Sequence, residues 1–531
     1  MRVPLIIIIS IILASSVTGV YLDSVPIDIQ NISQNKNLEK NLFSTQSVTS
    51  DQYIVTITQP DNIIRNAALN GIPENRKDVV QSQVATYLKR ILNGKKSISK
   101  NQFTARLRPQ QRDTLEKSPY IESIQKDRAY RTQLTSAKAT IHSDVITSLT
   151  GDKKLNGEGN TVCVIDTGID FTHPDFGSCS LSSPPTENIS ITPFGPEGYS
   201  NNEDRTFTIQ RNWPTSQLYF DYVDTEGQGS DEIIIREDGE IIHTEYGTKS
   251  GFWTPLFSGS NLTVQFVSDS SINGSNGYAG FSITKIRQAK NSIENCPQIQ
   301  GGVDFASTDP SNPSDDDGHG THVSGTIVAN GTNIGVAPGA TVYMVDTFDG
   351  GSTALSDLVR GIKHCVKMDE YMNISAISMS LGTTATYTPY CEDATLEPVI
   401  QEAVDKGIPV VAAAGNEGVV GQESNPACLQ NVYSVASTTD SDSKSSFSNV
   451  ADRTDITAPG TSITATYPGG GSATLSGTSM ATPIVAAGLT IVSQFSNNTF
   501  STLAGYGETV TLDGYTLPRI NFSTRMLPLR P

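Results

Sequence analysis

The chain has 531 residues, enough for two to four domains. Hydrophobic residues make up 36% and aromatics 7%, which supports a packed core and excludes disorder throughout. A formal net charge of -18 argues against nucleic-acid binding. The charge is uneven: residues 20–133 hold 17 Lys+Arg against 11 Asp+Glu, whereas 134–531 hold 19 against 44. Opposite signs predict that the basic N-terminal piece meets the acidic body.

Residues 1–19 read as a signal peptide: Arg2, then an apolar run from Leu5 to Ala14, then small residues Val17 and Gly19 at a cleavage site. The run is too short to span a bilayer comfortably, and no other long apolar run follows. "QYIVTITQP" at 52–60 alternates as a strand. "VVQSQVATYLKRILNG" has helical periodicity, with Val79, Val80, Val84, Tyr87, Leu88 and Leu92 on one face. "FTARL" is strand-like, "PQQRDTLEKSP" a short helix opened by Pro109, and "IESIQKD" a closing strand.

"VCVIDTGIDFTHPDF" ends an apolar strand on Asp166, where α/β sheets keep their sites. Short strands then recur between charged and glycine-rich turns: "LYFDYVD", "DEIIIRE", "EIIHTEY", "LTVQFVSD" and "GYAGFSITKI". This spacing predicts an all-β sandwich over about 185–288. "DDDGHGTHVSGTI" holds His319 at a small-residue helix, "VVAAAGNEG" holds Asn416 after an apolar strand, and "LSGTSMATPIVAAG" holds Ser479 before a second helix. A serine hydroxyl becomes nucleophilic when an imidazole takes its proton, and a carboxylate fixes that imidazole. The helix start at Ser479 and the Asn416 amide offer donors to an oxyanion. His322 and His173 read as structural, since His319 and His322 do not have the H-E-x-x-H spacing.

The four motifs "VIDTGID", "GHGTHVSGT", "AAAGNEG" and "SGTSMATP", in Asp–His–Ser order, resemble the subtilisin-like serine proteases, the subtilases. The resemblance covers about 134–178 and 297–531. It implies an α/β fold, a parallel sheet with helices on both faces, and peptide-bond hydrolysis. It gives Asp166 the orienting role, His319 that of base and then acid, Ser479 that of nucleophile, and Asn416 that of oxyanion donor. It also implies that Ser380, Leu381 and Gly382 pair with substrate backbone, that "DGGST" at 349–353, with Gly350 and Gly351, forms the opposite edge, and that Glu417 sits at the rim of the main specificity pocket. Broad endopeptidase action on proteins and peptides follows. Rival readings are a catalytically silent protease scaffold and an esterase. The scaffold predicts a broken motif and none is broken; the esterase lacks its GxSxG elbow.

Residues 20–133 resemble the inhibitory propeptide of the same family, with a ferredoxin-like (α+β) domain over about 52–130. This implies a zymogen whose propeptide chaperones folding and blocks the cleft until self-cleavage at about 130–134. The inserted sandwich resembles a CUB domain. Some CUB domains bind calcium through acidic residues, here Glu226, Asp231 and Asp269, and hard oxygen ligands suit Ca²⁺. Asp175 matches a calcium ligand of the family, but its partner loop "ANGTNIGVAP" is short. No cofactor is expected in catalysis, and the enzyme is expected to be a monomer.

Cys179 and Cys296 flank the insertion, so a disulfide between them would staple its ends to the scaffold; sequence alone does not fix the pairing of the six cysteines. Eight N-x-Ser/Thr sequons, at Asn31, Asn188, Asn261, Asn273, Asn330, Asn373, Asn497 and Asn521, suit a secreted glycoprotein. The 52 residues after Ser479 are expected to complete the fold and leave no further module, with 521–531 a tail.

Overall fold

The computed structural model describes residues 51–59, 88–89, 92, 96–99, 101–118, 120–132, 156–177, 179–181, 186–194, 198–209, 215–225, 231–237, 240–254, 257, 261–268, 278–289, 293–294, 296–306, 312–497 and 499–520. The signal segment, most of the helix expected around 79–94, and the tail after 520 lie outside them. Two compact units emerge: Met1–Asp127 with Pro185–Ala289, and Arg128–Pro184 with Lys290–Pro531.

In the first unit, four antiparallel strands run in the order Lys96–Ser99, Gln102–Leu107, Asp51–Ile57, Ile121–Lys126. Ile54, Val55, Ile57, Phe103 and Leu107 are buried, and helix Pro109–Leu115 opens on proline, whose fixed φ suits a first turn. Strand Lys96–Ser99, four residues long, carries no alternation that sequence reading could use.

The same unit holds two further four-stranded antiparallel sheets. One runs Thr248–Trp253, Thr215–Asp224, Gly280–Ala289, Thr186–Ile191; the other runs Glu240–Glu245, Glu232–Glu237, Leu262–Val267, Asp204–Ile209. Alternation is clean in Leu262–Val267: Leu262, Val264 and Phe266 are buried, their neighbours partly exposed. Both sheets feed one core, in which Phe220 and Phe281 of the first pack with Ile233, Ile235, Val264 and Phe266 of the second. Three of the eight strands, Thr186–Ile191, Asp204–Ile209 and Thr248–Trp253, were not expected; their exposed, polar patterns hide them.

The second unit is built on a nine-stranded sheet. Its order is Ile299–Asp304, Thr341–Asp346, Thr161–Asp166, Ile374–Met379, Val410–Ala413, Tyr433–Thr438, Thr454–Pro459, Tyr515–Arg519, Glu508–Leu512. All neighbours pair in parallel except the last two strands, an antiparallel hairpin. Strand Thr161–Asp166 is buried at all six positions, as a strand covered on both faces must be. Its residues show the two layers. Val162 and Val164 share a core with helices His319–Val328 and Thr478–Ser493. Cys163, on the opposite face, is bonded to Cys365 of helix Leu355–Met368. The expected parallel sheet with helices on both faces is therefore present.

Cys179 bonds Cys296, and Ser180–Leu181 pairs with Ile293–Glu294. The chain thus leaves this unit and returns to it at neighbouring points. The third disulfide joins Cys391 to Cys428. Among the described residues no helix is long and apolar enough to cross a membrane.

Candidate active site

The three residues expected to form a triad sit on three elements of the second unit. Asp166 is the last residue of its strand, His319 the first of helix His319–Val328, and Ser479 the second of helix Thr478–Ser493. Although 153 residues separate them, His319 Nδ1 lies 2.6 Å from Asp166 Oδ1. Glycine allows this approach: a Cβ on Gly320 would sit 2.1 Å from the Gly168 carbonyl oxygen, and Gly168 has φ +104°.

The Asp166 carboxylate also accepts the Thr167 N–H at 2.9 Å, and Thr167 Oγ1 accepts from Gly320 N at 2.9 Å. Asp315 organises the loop before the histidine. It accepts from Thr167 Oγ1 (3.0 Å), Gly318 N (2.8 Å) and Thr321 N (2.8 Å). Sequence reading did not single it out; its signal was the acidic run "DDD" before "GHGTH".

His319 is fully buried. Burial opposes its charging, but Asp166, Asp317 and Asp315 outweigh this, and its pKa is raised above the ordinary value. Its Nε2 is buried and has no hydrogen-bond partner among the described residues. Ser479 Oγ donates instead to the Ser380 carbonyl at 2.9 Å, while Ser380 Oγ donates to the Ser479 carbonyl at 2.9 Å.

Asn416 follows the buried strand Val410–Ala413. Its Oδ1 accepts from Thr478 N (2.9 Å) and Thr478 Oγ1 (3.0 Å). That fixes the amide, and Nδ2, buried and without a partner among the described residues, is left to face another acceptor. Thr478, next to Ser479, holds this amide, and sequence reading did not single it out. Glu417 is exposed, with its carboxylate drawn to Asn449 Nδ2 at 2.7 Å and Ser424 Oγ at 3.5 Å.

Carboxylates also cluster where the sheet ends. Register sets Asp304 beside Asp346 and Asp346 beside Asp166. Burial, together with the charges of Asp304, Asp315 and Asp166, pushes Asp346 up to about 8 despite a hydrogen bond from Phe348 N. Burial and these neighbours thus favour the neutral form of Asp346, which limits the charge beside Asp166.

A short strand, Ala129–Thr132, lies between two edges of this unit. On one side Tyr130 pairs with Thr353 and Ala129 with Ala354; on the other Arg131 pairs with Gly382 and Thr132 with Leu381. The edge at Leu381 and Gly382 has Ser380 next to it, bonded to Ser479. The opposite edge falls at the end of the 349–353 stretch. Gly350 and Gly351, with φ of +58° and +81°, form the exposed turn between Asp349 and Ser352, and pairing falls on the next residues, Thr353 and Ala354. The strand also groups with the second unit, not with the N-terminal sheet, because its backbone partners are there.

His322 and His173 are held by backbone partners. His322 Nε2 donates to the carbonyls of Ile463 (3.0 Å) and Ala473 (3.2 Å), and burial with the neighbouring His319 lowers its pKa to about 4. His173 bridges Gly471 O and Asp175 N. The Asp175 carboxylate accepts from Thr332 N (2.6 Å), Asn333 N (3.0 Å) and Asn333 Nδ2 (2.7 Å). Of the calcium candidates in the insertion, Asp231 is buried and accepts the Tyr199 hydroxyl, whereas Glu226 and Asp269 lie outside the described residues. Among the described residues no group of three acidic, histidine or cysteine side chains could hold a metal.

Comparison with known proteins points the same way. The model of the subtilase family matches residues 157–507. The chain is 36% identical over 217 residues to subtilisin NAT of Bacillus subtilis subsp. natto, covering 39% of this chain and 54% of that protein. It is 39% identical over 188 residues to a thermostable alkaline protease of Halalkalibacterium halodurans, covering 35% of this chain and 49% of that one. It is 39% identical over 187 residues to subtilisin Savinase of Lederbergia lenta, covering 34% and 65%. The chain spans about half the length of the curated relatives it matches.

Proposed function

The chain belongs to the subtilase family, and from that premise we propose that it is a secreted serine endopeptidase, made as a zymogen and activated by its own cleavage. One observation carries this reading. Strand Ala129–Thr132 occupies the groove between Thr353–Ala354 and Leu381–Gly382, beside Ser380 and the nucleophile bonded to it. A peptide added as a strand to an open edge is how an extended substrate binds. The propeptide boundary at 133 lies one residue past the end of that strand.

The chemistry is that established for subtilisins. The Ser479 hydroxyl turns from the Ser380 carbonyl toward His319 Nε2, which takes its proton as the oxygen attacks the scissile carbonyl. Asp166 stabilises the imidazolium through Nδ1. The oxyanion accepts from Asn416 Nδ2 and from the backbone at the start of the Ser479 helix. His319 then protonates the leaving amine, and water hydrolyses the acyl-enzyme by the same steps in reverse.

The four-stranded sheet of 51–126 has the strand order of a ferredoxin-like fold, which supports a propeptide domain that chaperones folding and inhibits the cleft. The two facing sheets of the insertion support a CUB-like module. Every described sequon asparagine, Asn188, Asn261, Asn330, Asn373 and Asn497, is exposed, which supports glycosylation in the secretory pathway. A calcium ion in the insertion belongs to the same proposal; a chelator that leaves thermal stability unchanged removes it.

Expression of the wild type and of Ser479→Ala, followed by N-terminal sequencing, tests the reading. A new N-terminus at 134 in the first and none in the second is expected. Equal processing of both would overturn it.

A further inference from the structure

The strand in the groove also shows what the groove recognises. Arg128 and Tyr130 are alternate residues, so their side chains leave the same face. The Arg128 guanidinium pairs with Asp393, whose side chain is 0% exposed, and reaches the Tyr387 hydroxyl at 3.5 Å; Arg128 itself is 24% exposed. Tyr130 is completely buried, and its hydroxyl donates to Asn425 Oδ1 at 2.8 Å. The two contacts are joined, because Asn425 Nδ2 donates to Asp393 Oδ2 at 3.3 Å.

The receptor is built into the scaffold. Asp393 Oδ1 accepts the N–H groups of Thr395 and Leu396 at 3.1 Å each, at the start of helix Leu396–Asp405. Asn425 is tied to the groove edge by exchange with Thr383: Asn425 N donates to Thr383 Oγ1 (3.2 Å) and Thr383 N to the Asn425 carbonyl (2.9 Å). None of these contacts depends on the peptide being part of the same chain.

We propose that the mature enzyme keeps this pair of subsites for substrates, so that it selects peptides carrying a cation at the Asp393 position and, two residues on, a tyrosine at the Asn425 position. The proposal rests on the reading of the groove as a substrate site. Once the tail departs, Asp393 loses the Arg128 guanidinium, and a buried carboxylate gains most from a replacement cation with matching hydrogen bonds. Tyrosine is favoured over phenylalanine there because Asn425 would otherwise lose its donor. With a cut after residue 133, the two side chains stand at the sixth and fourth positions before the scissile bond.

The test uses the full chain, expressed and self-processed, with quenched fluorescent peptides of the sequence 128–136, Arg-Ala-Tyr-Arg-Thr-Gln-Leu-Thr-Ser. Replacing the first Arg by Gln should lower kcat/KM by about 10- to 100-fold, and by Glu further still, the range for truncating one partner of a partly exposed interfacial ion pair. Replacing Tyr by Phe should cost about 5- to 10-fold. In Asp393→Asn, which keeps an acceptor for the helix N–H groups, the Arg/Gln ratio should fall to about threefold or less. Should that variant fail to fold, the wild-type peptide series decides alone. Arg and Gln peptides cleaved within twofold by the wild type would overturn the proposal while leaving the protease reading intact. No cleavage of any peptide or of casein would overturn the protease reading and this proposal with it.

Discussion

Replacing Asn416 by alanine and by aspartate in parallel separates catalysis from folding. Among the described residues the buried Asn416 Nδ2 has no partner, so none of their hydrogen bonds is lost when it goes. What remains is its donation to an oxyanion. Removal of the matching donor in a subtilisin costs about 10²–10³ in kcat, or about 2.7–4 kcal/mol, and the same is expected here. The other half of the amide has a structural cost. Thr478 N and Oγ1 lose their shared acceptor, and two neutral hydrogen bonds are worth about 1–3 kcal/mol together. Asn416→Asp keeps that acceptor and replaces the donor by an oxygen. The aspartate variant should therefore lose activity at least as fully as the alanine variant but retain more thermal stability. Steady-state kinetics on a peptide, with melting curves on inactive Ser479→Ala backgrounds, read both. KM should stay within about threefold, because the donor acts on charge present only in the transition state. If Asn416→Ala lost less than about tenfold in kcat, or lost activity only in step with stability, Nδ2 would not be facing the oxyanion.

Three further outcomes are expected. Because His319 acts as a base only when neutral and its pKa is raised, the acid limb of kcat/KM should have its midpoint above the ordinary 6.5. Asp317→Asn, which removes one of the charges that raise it, should shift that midpoint down by about 0.1–0.7 pH units; an unchanged or upward shift would refute the assignment. Asp346 has a folded pKa of about 8 against an ordinary 3.8, so its bound proton favours folding below the lower value and that advantage fades as pH rises through the higher one. Asp346→Asn should thus stabilise Ser479→Ala protein more at alkaline than at acid pH, and a pH-independent difference in Tm would contradict the buried neutral acid. Loss of the Cys179–Cys296 bridge, which spans 117 residues, removes about 4–5 kcal/mol in the chain-entropy account. Replacing both cysteines by alanine should lower Tm by about 10 °C, and a change under about 2 °C would mean that the neighbouring ribbon alone holds the ends together.

The triad was legible because each of its residues sits inside a motif whose neighbours do local work. Gly168 and Gly320 permit a backbone approach that no other residue tolerates, so the chemistry leaves a signature in the flanking sequence. The clamp on Asn416 was not legible. It comes from Thr478, 62 residues away, and pairs at such separation leave no periodic trace. The same holds for Asp393 and Asn425, which meet Arg128 and Tyr130 across 265 and 295 residues. One miss was avoidable. Asp513 and Gly514, with φ of +48° and +96°, turn the final hairpin, and Asp-Gly between alternating residues is a strong hairpin signal. The opposite edge of the groove, placed at 349–353 by resemblance, is refined by geometry: positive φ at Gly350 and Gly351 makes a turn, and pairing begins at Thr353.

An insertion between two triad residues looks hazardous for catalysis, and the geometry explains why it is tolerated. The Asp166–His319 contact does not depend on the length of the connection. It is set by the Gly168–Gly320 approach, by Thr167 bridging Gly320 and Asp315, and by the helix that His319 opens. The chain departs at Ser180–Leu181 and returns at Ile293–Glu294, paired as a ribbon and bonded through Cys179 and Cys296. To the scaffold the insertion is thus a closed loop, and lengthening a closed loop adds entropy only logarithmically. The inserted residues also carry their own core, so their order is supported locally. Evolution of the insertion and of the peptidase chemistry can then proceed separately, whereas the groove cannot change so freely. Its occupant, Arg128 to Thr132, belongs to the same chain. A mutation at Asp393 or Asn425 that alters substrate choice alters the fit of the propeptide tail at the same time. On the proposed reading, specificity and inhibition are bound to one set of residues.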